Sequence, residues 1–341
     1  MSEPNREELQ AVLDRRTSAL GAIAAAAKLA AASWSVGLPI VLVYGLVDGG
    51  LQIAVARMAR EIVGAPVATN ALGFQIAMGV SVLLAIYGVL QFLKRQSATR
   101  ESWWPVLFLA PALMVALALF LAQQQSARQL APIIAGFPMI AVGLAWASFG
   151  GAVAAIGWVR SAEAATRGAN VSLAEAGEEM FRRALEVSGP HGARVQAISL
   201  GAQAALVPGI FYALQLAFTD MIAVLEPDKP ALKRSGQLTW GMRGRLFRLL
   251  LVVILILNAA GIALLVVIEG MGEGGVGQAV FEPLMNPAGV SAAGLMAQSM
   301  MWALGVWFLT LAMLVLYLER ERQVVARRGL NALRKAESAS E

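Results

Sequence analysis

Apolar residues gather along this chain into long, nearly uncharged blocks separated by shorter polar ones, and block length decides what each can become. Residues 249–268 carry no charge and one strongly polar group, Asn258. At 1.5 Å per residue such a run crosses about 30 Å of hydrocarbon, so it predicts a transmembrane helix. Further blocks of the same character cover residues 20–47 (hydrophobic centre 33–47, with Lys28 placed to snorkel toward the headgroups), 71–93, 103–122, 132–159 and 299–318. Trp103 and Trp104 head the third block, as an interfacial aromatic belt would place them.

Between the blocks the periodicity changes. Residues 5–19 read as a short amphipathic surface helix. In residues 160–194, Ser172 and Glu175 form a capping box, and Leu173, Ala176, Met180, Phe181, Ala184 and Leu185 repeat at helical spacing opposite Glu178, Glu179, Arg182, Arg183 and Glu186. Gly189-Pro190 reads as the stop signal of that amphipathic helix. Leu51, Val55, Met58 and Ile62 predict a short interfacial helix in an outer loop that also carries Arg57, Arg60 and Glu61.

The stretch 195–225 is apolar but interrupted by Pro208-Gly209, which leaves halves of roughly 13 and 16 residues, each short of the ~17–25 needed to span. Basic residues indicate its path. With the N-terminus cytoplasmic and this stretch not crossing, the inner segments 1–19, 94–102, 160–194, 226–248 and 319–341 hold 23 of the 27 Lys and Arg residues. The outer loop 269–298 holds three glutamates and no basic residue. A true crossing at 195–225 would put several basic segments on the wrong side. The expected fold class is therefore an all-α polytopic transmembrane bundle, with six spans plus a Pro-Gly-broken re-entrant helical hairpin and both termini cytoplasmic. Its parts are an N-terminal amphipathic helix (1–19), a four-span half (20–159), a cytoplasmic amphipathic segment (160–194), the hairpin with two spans (195–318) and a charged tail (319–341).

Composition narrows the chemistry. Of 341 residues 58% are hydrophobic and 14% charged, which excludes an ordinary water-soluble globule. The chain has no cysteine and one histidine, His191, so disulfides, thiolate nucleophiles, iron–sulfur clusters and multi-histidine metal sites are excluded. The net charge of +5 records loop orientation rather than nucleic-acid binding.

The most distinctive residues run from Val207-Pro208-Gly209-Ile210-Phe211-Tyr212 to Val224-Leu225-Glu226. They continue through Ala231-Leu232-Lys233-Arg234-Ser235, Leu238-Thr239, Gly241 and Arg245-Leu246-Phe247. This region, about 198–258, resembles the YciC-like bacterial membrane proteins and the membrane domain attached to some glycerophosphodiester phosphodiesterases. The resemblance implies an integral-membrane accessory domain concerned with lipids or the envelope. It does not imply the phosphodiesterase activity, which belongs to a separate barrel domain that this chain lacks.

Candidate sites follow from polar residues in apolar surroundings. Asp220 stands among Phe218, Met221 and Ile222, either at depth as a proton or cation acceptor, or shallow beside water or a basic residue of the linker. Asn258 suits interhelical bonding or a substrate contact. His191 reads as a solvated loop residue. Lys233, Arg234, Arg243, Arg245 and Arg248 form a candidate lipid or partner patch, against the plainer reading of topology anchors. Gly143, Ala147, Gly151 and Ala155 recur every fourth residue as a candidate helix-packing face. No catalytic, metal-binding or cofactor-binding residue is expected, and no cofactor. The primary expectation is a non-enzymatic scaffold or accessory protein of the bacterial inner membrane. Its implied partners are anionic lipid headgroups on the cytoplasmic side and a membrane protein or second copy, not nucleic acid. The alternative is a small-solute or lipid transporter using the broken hairpin around Pro208 and Asp220.

Overall fold

The computed structural model describes residues 10–12, 16–64, 131–204, 206–269 and 291–340. All regular structure among them is helical: α1 (Ala19–Gly64), α2 (Ala131–Thr166), α3 (Leu173–Ala204), α4 (Leu206–Gln215), α5 (Thr219–Leu225), α6 (Ala231–Thr239), α7 (Arg243–Glu269) and α8 (Ala292–Ser340). Four stretches among the described residues are long and apolar enough to cross a membrane: Ala19–Ile53, Val207–Leu225, Arg243–Leu264 and Ala292–Leu333. The expected spans at 71–93 and 103–122 lie outside the described residues, as does most of the 5–19 helix.

Two compact units emerge, one from Met1–Val41, Ala152–Asn258 and Ala303–Glu341, the other from Leu42–Gly151 and Ala259–Trp302. In the first, the part of α2 from Ala152 onward is largely buried: Ala152, Ala154, Ala155, Ile156, Trp158, Val159 and Ala162 are all in the core. Glycines set how closely the helices approach. A Cβ on Gly37 would come within 2.3 Å of the Trp307 indole, and one on Gly157 within 2.4 Å of Ile40 Cδ1. The Trp158 indole N–H donates to the Gly37 carbonyl at 3.3 Å, so the bare backbone at this crossing also serves as an acceptor. Helix α7 buries Leu246, Leu249 and Val253 and turns Leu251, Leu255 and Ile256 outward, an apolar outer face that suits lipid as solvent. In the second unit, Tyr44 stacks on Trp146 with centroids 5.4 Å apart, and Gly49 admits Met296.

Three expectations about element ends are corrected. Helix α1 continues without interruption through Gly64, so residues 51–62 are its last turns rather than a separate interfacial helix. Gly189-Pro190 does not end α3, which runs from Leu173 to Ala204 with Pro190 inside it. A helical proline costs about 3 kcal/mol, but Val187, Ser188 and His191 are buried around this one, and burial outweighs local propensity. Pro208-Gly209 does not mark the reversal either: the antiparallel return lies between α3 and α4, and Pro208 sits in the first turn of α4, where its missing N–H is harmless. The capping box forms as expected. Ser172 N–H donates to Glu175 Oε2 at 2.8 Å, and Glu175 N–H donates to Ser172 Oγ at 3.2 Å.

Helices α3, α4 and α5 make an antiparallel hairpin. Along α3 from Gly201 to His191 to Arg183, the opposing residue advances from Gly209 to Asp220 to Val224. A Cβ on Gly201 would meet the Gly209 nitrogen at 2.9 Å, so glycine there permits the tight return.

Candidate functional site

The returning arm of the hairpin changes direction at Leu216–Phe218, between α4 and α5, and this break frees two backbone groups. Had the helix continued, Phe218 N–H would have bonded back one turn, and Gln215 C=O would have accepted Thr219 N–H. Thr219 N–H goes instead to Leu216 C=O at 3.2 Å. Helix α6 supplies the missing partners. Ser235 Oγ accepts from Phe218 N–H at 3.1 Å and donates to Gln215 C=O at 3.0 Å, with Thr239 Oγ1 adding a second bond to that carbonyl at 3.3 Å. Ser235 and Thr239 stand four residues apart on one face of α6, so both reach the same break. Gly241, at φ 82°, then makes the left-handed turn into α7 that a side chain would strain. Ser235→Ala is expected to orphan the buried Phe218 N–H and cost about 1–3 kcal/mol, whereas Thr239→Val should cost less because Gln215 C=O keeps Ser235. Thermal unfolding in mild detergent reads the difference.

Held in this way, α5 has no outward face: Thr219, Asp220, Met221, Ile222, Ala223 and Val224 are all buried. Asp220 is the ionic centre. Its side chain is 4% exposed, His191 Nδ1 lies 2.8 Å from Oδ1, and the Arg194 guanidinium binds Oδ2. Beside an always-charged guanidinium the carboxylate is an acceptor only, so His191 donates from Nδ1. Both expectations for these residues need correction. His191 is neither in a loop nor solvated but buried within α3, and the bases facing Asp220 come from α3 rather than from the linker that follows. The end of α5 is clasped as well. Buried Arg183 donates to Val224 C=O at 2.7 Å and Ala223 C=O at 2.8 Å, satisfying carbonyls that a helix end leaves open. Glu179 and Glu186 flank Arg183 on α3, and Glu179 also pairs with Arg160 and Arg182. Burial pushes the Glu179 carboxyl up, but the bond from Arg182 and the charges of Arg160, Arg182 and Arg183 leave it below its ordinary value.

A second polar layer joins α5, α6 and α7 to α8. Glu226 binds Lys229 and the Tyr317 hydroxyl; these bonds outweigh its partial burial and hold its carboxyl below the usual range. Arg234 reaches Glu321, Arg245 reaches Glu319 at 2.8 Å, and Arg320 donates to the Leu238 and Trp240 carbonyls at 3.1 Å each. Tyr317 also meets Phe218 edge-on, with centroids 5.8 Å apart.

The five-residue basic patch therefore divides. Arg234 and Arg245 are taken up in these internal ion pairs, and Arg243 lies 4.9 Å from the Phe211 ring centre and 5.0 Å from that of Trp240. Lys233 and Arg248 remain exposed. Asn258 is exposed and donates to Ile254 C=O of its own helix at 2.8 Å, so it bonds back along α7 rather than between helices. Of the predicted small-residue face, Gly143 and Ala155 differ in setting: a Cβ on Gly143 would meet nothing within 4 Å, while Ala155 is in the core. Ala147 and Gly151 between them are half-buried. Among the described residues, Gly37, Gly157, Gly201 and Gly305 are glycines of the first unit at which a Cβ would collide with a neighbouring helix. On α3, Ala176 and Ala184 face the core, yet Phe181 from the same predicted apolar face is 92% exposed, with Leu173 and Leu185 also outward.

Compared with protein-family models, with curated proteins and with solved structures, the chain matches none.

Proposed function

We propose that this chain is a non-enzymatic scaffold or accessory protein of a bacterial inner membrane, YciC-like in its central region. It has six spans, a re-entrant hairpin made by the end of α3 with α4 and α5, and both termini in the cytoplasm. The observation that carries the reading is the condition of Asp220. A carrier's intramembrane carboxylate faces a path along which its ligand can reach it. Here both carboxylate oxygens are occupied by His191 and Arg194 and the side chain is enclosed, so the group acts as a clasp between hairpin arms. The resemblance to YciC-like proteins supports the same view, because Ser235, Thr239 and Gly241 of its motif all serve the backbone of the hairpin and the turn after it. Lys233 on α6 and Arg248 on α7, both exposed, anchor the cytoplasmic side against anionic headgroups, at about 1 kcal/mol each.

The absence of cysteine makes the topology directly testable. Single Glu178→Cys and Lys233→Cys variants, both at exposed positions, are treated with a membrane-impermeant maleimide in right-side-out and inverted vesicles. Both should label only in inverted vesicles, and labelling from opposite sides overturns the re-entrant path. The functional reading has its own test in reconstituted liposomes. A proton-coupled solute flux abolished by Asp220→Asn at unchanged melting temperature would replace the scaffold with a transporter.

A further inference from the structure

Within the first unit, α1 and α8 run antiparallel: Thr17 N–H, just before α1, donates to Glu319 at 3.0 Å, and Gly37 further along meets Trp307. Between them lies a cleft of about 800 Å³, within the ~300–1,000 Å³ of small-molecule sites. Helix α1 contributes Lys28, Leu29 and Ala32, and α8 contributes Leu318, Glu319 and Arg322. Each trio has the spacing i, i+1, i+4, which places its members along one helix face. The cleft is therefore two-natured by register. Its lining combines the apolar Leu29, Ala32 and Leu318 with two cations, Lys28 on α1 and Arg322 where α8 passes from its apolar run into its charged tail.

Among the described residues neither cation has a carboxylate partner. Glu319, the acid in the cleft, is already held by Arg245, by Thr17 N–H and by Gln323. Lys28 and Arg322 are exposed at the cleft and have no ion pair among the described residues. An apolar floor beside two uncommitted cations matches an amphiphile with an anionic head. A soluble anion would leave the floor empty, and a neutral lipid would leave the cations unpaired. We propose that the cleft binds one acidic phospholipid of the surrounding bilayer, its chain along Leu29 and Ala32 and its phosphate between Lys28 and Arg322. This deepens the reading above and rests on α1 and α8 lying in the bilayer.

The test titrates the purified full chain in detergent with phosphatidylglycerol, phosphatidylcholine or inorganic phosphate, following bound species by native mass spectrometry. The expected result is one phosphatidylglycerol retained per chain. Removing both charges in Lys28→Gln/Arg322→Gln should weaken it by about 25-fold, near fivefold per charge. Ala32→Trp, checked for an unchanged melting temperature, should fill the floor and weaken binding with both cations kept. Arg327→Gln/Arg328→Gln removes two exposed charges from α8 outside the cleft and should leave retention unchanged. Equal retention of phosphatidylcholine, equal occupancy by inorganic phosphate, or equal loss in the Arg327/Arg328 control would each overturn the proposal. Carbonate washing separates the two readings. A chain stripped from membranes fails as an integral protein, whereas one that stays integral but retains no phosphatidylglycerol fails only at the cleft.

Discussion

Asp220→Ala is expected to destabilise the protein by about 3–5 kcal/mol, because removing one member of a buried ion pair strands the others in an apolar setting. His191 and Arg194 would lose their shared acceptor on α5, and the two arms of the hairpin would lose their central fastening. Asp220→Asn should cost less, since an amide oxygen still accepts from His191. Unfolding of the purified chain in mild detergent measures both. The double variant Asp220→Leu/His191→Leu should be more stable than the sum of its single changes, as groups sharing one network are non-additive. A loss below about 0.5 kcal/mol for Asp220→Ala, the range of an ordinary surface change, would show that the clasp does not hold the hairpin.

Gly37→Leu should act with comparable force by a steric route. Even a Cβ would lie 2.3–2.8 Å from three indole atoms of Trp307, which is buried and planar and so cannot yield at one end as a flexible chain does. Overpacking of a filled core costs about 1–3 kcal/mol, and a leucine against a rigid ring belongs at or above the top of that range. The same variant disturbs the Gly37 carbonyl that receives the Trp158 N–H. Gly37→Ala combined with Trp307→Leu should recover part of the loss caused by Gly37→Ala alone, again by thermal unfolding. If trimming the indole brings no recovery, steric collision is not the cause.

Much of the helical plan could be read from pattern alone. The capping box at Ser172 and Glu175 and the apolar run inside α7 both follow from spacing and composition. What escaped depends on neighbours far away in the chain. Pro190 looks like a helix end locally; it stays helical because His191 and Val187 beside it are buried. The pairing of His191 with Asp220 was available in outline, since an antiparallel return between α3 and α4 brings the 190s opposite the 220s. The expectation turned at Pro208 and sought bases on the linker instead. Arg183, Glu226, Tyr317 and Glu319 carried no signal of their own, because a charged or phenolic residue at a span boundary is ordinary until its partner is known. The small-residue face at Gly143 and Gly151 was a reasonable pattern, but glycine spacing alone does not say which helix face meets a neighbour.

The position of the clasp also sets an order of assembly. Asp220 finds its partners 26 and 29 residues back along the chain, and the α5 carbonyls find Arg183 about 40 back, so these contacts close over short loops. Glu226 must wait for Tyr317, 91 residues further on, and Arg234 for Glu321, 87 further on. During synthesis the hairpin can therefore neutralise its own charge before the last helix leaves the ribosome. Helix α8 then docks onto a finished surface, so a chain stopped after residue 248 retains every partner of Asp220.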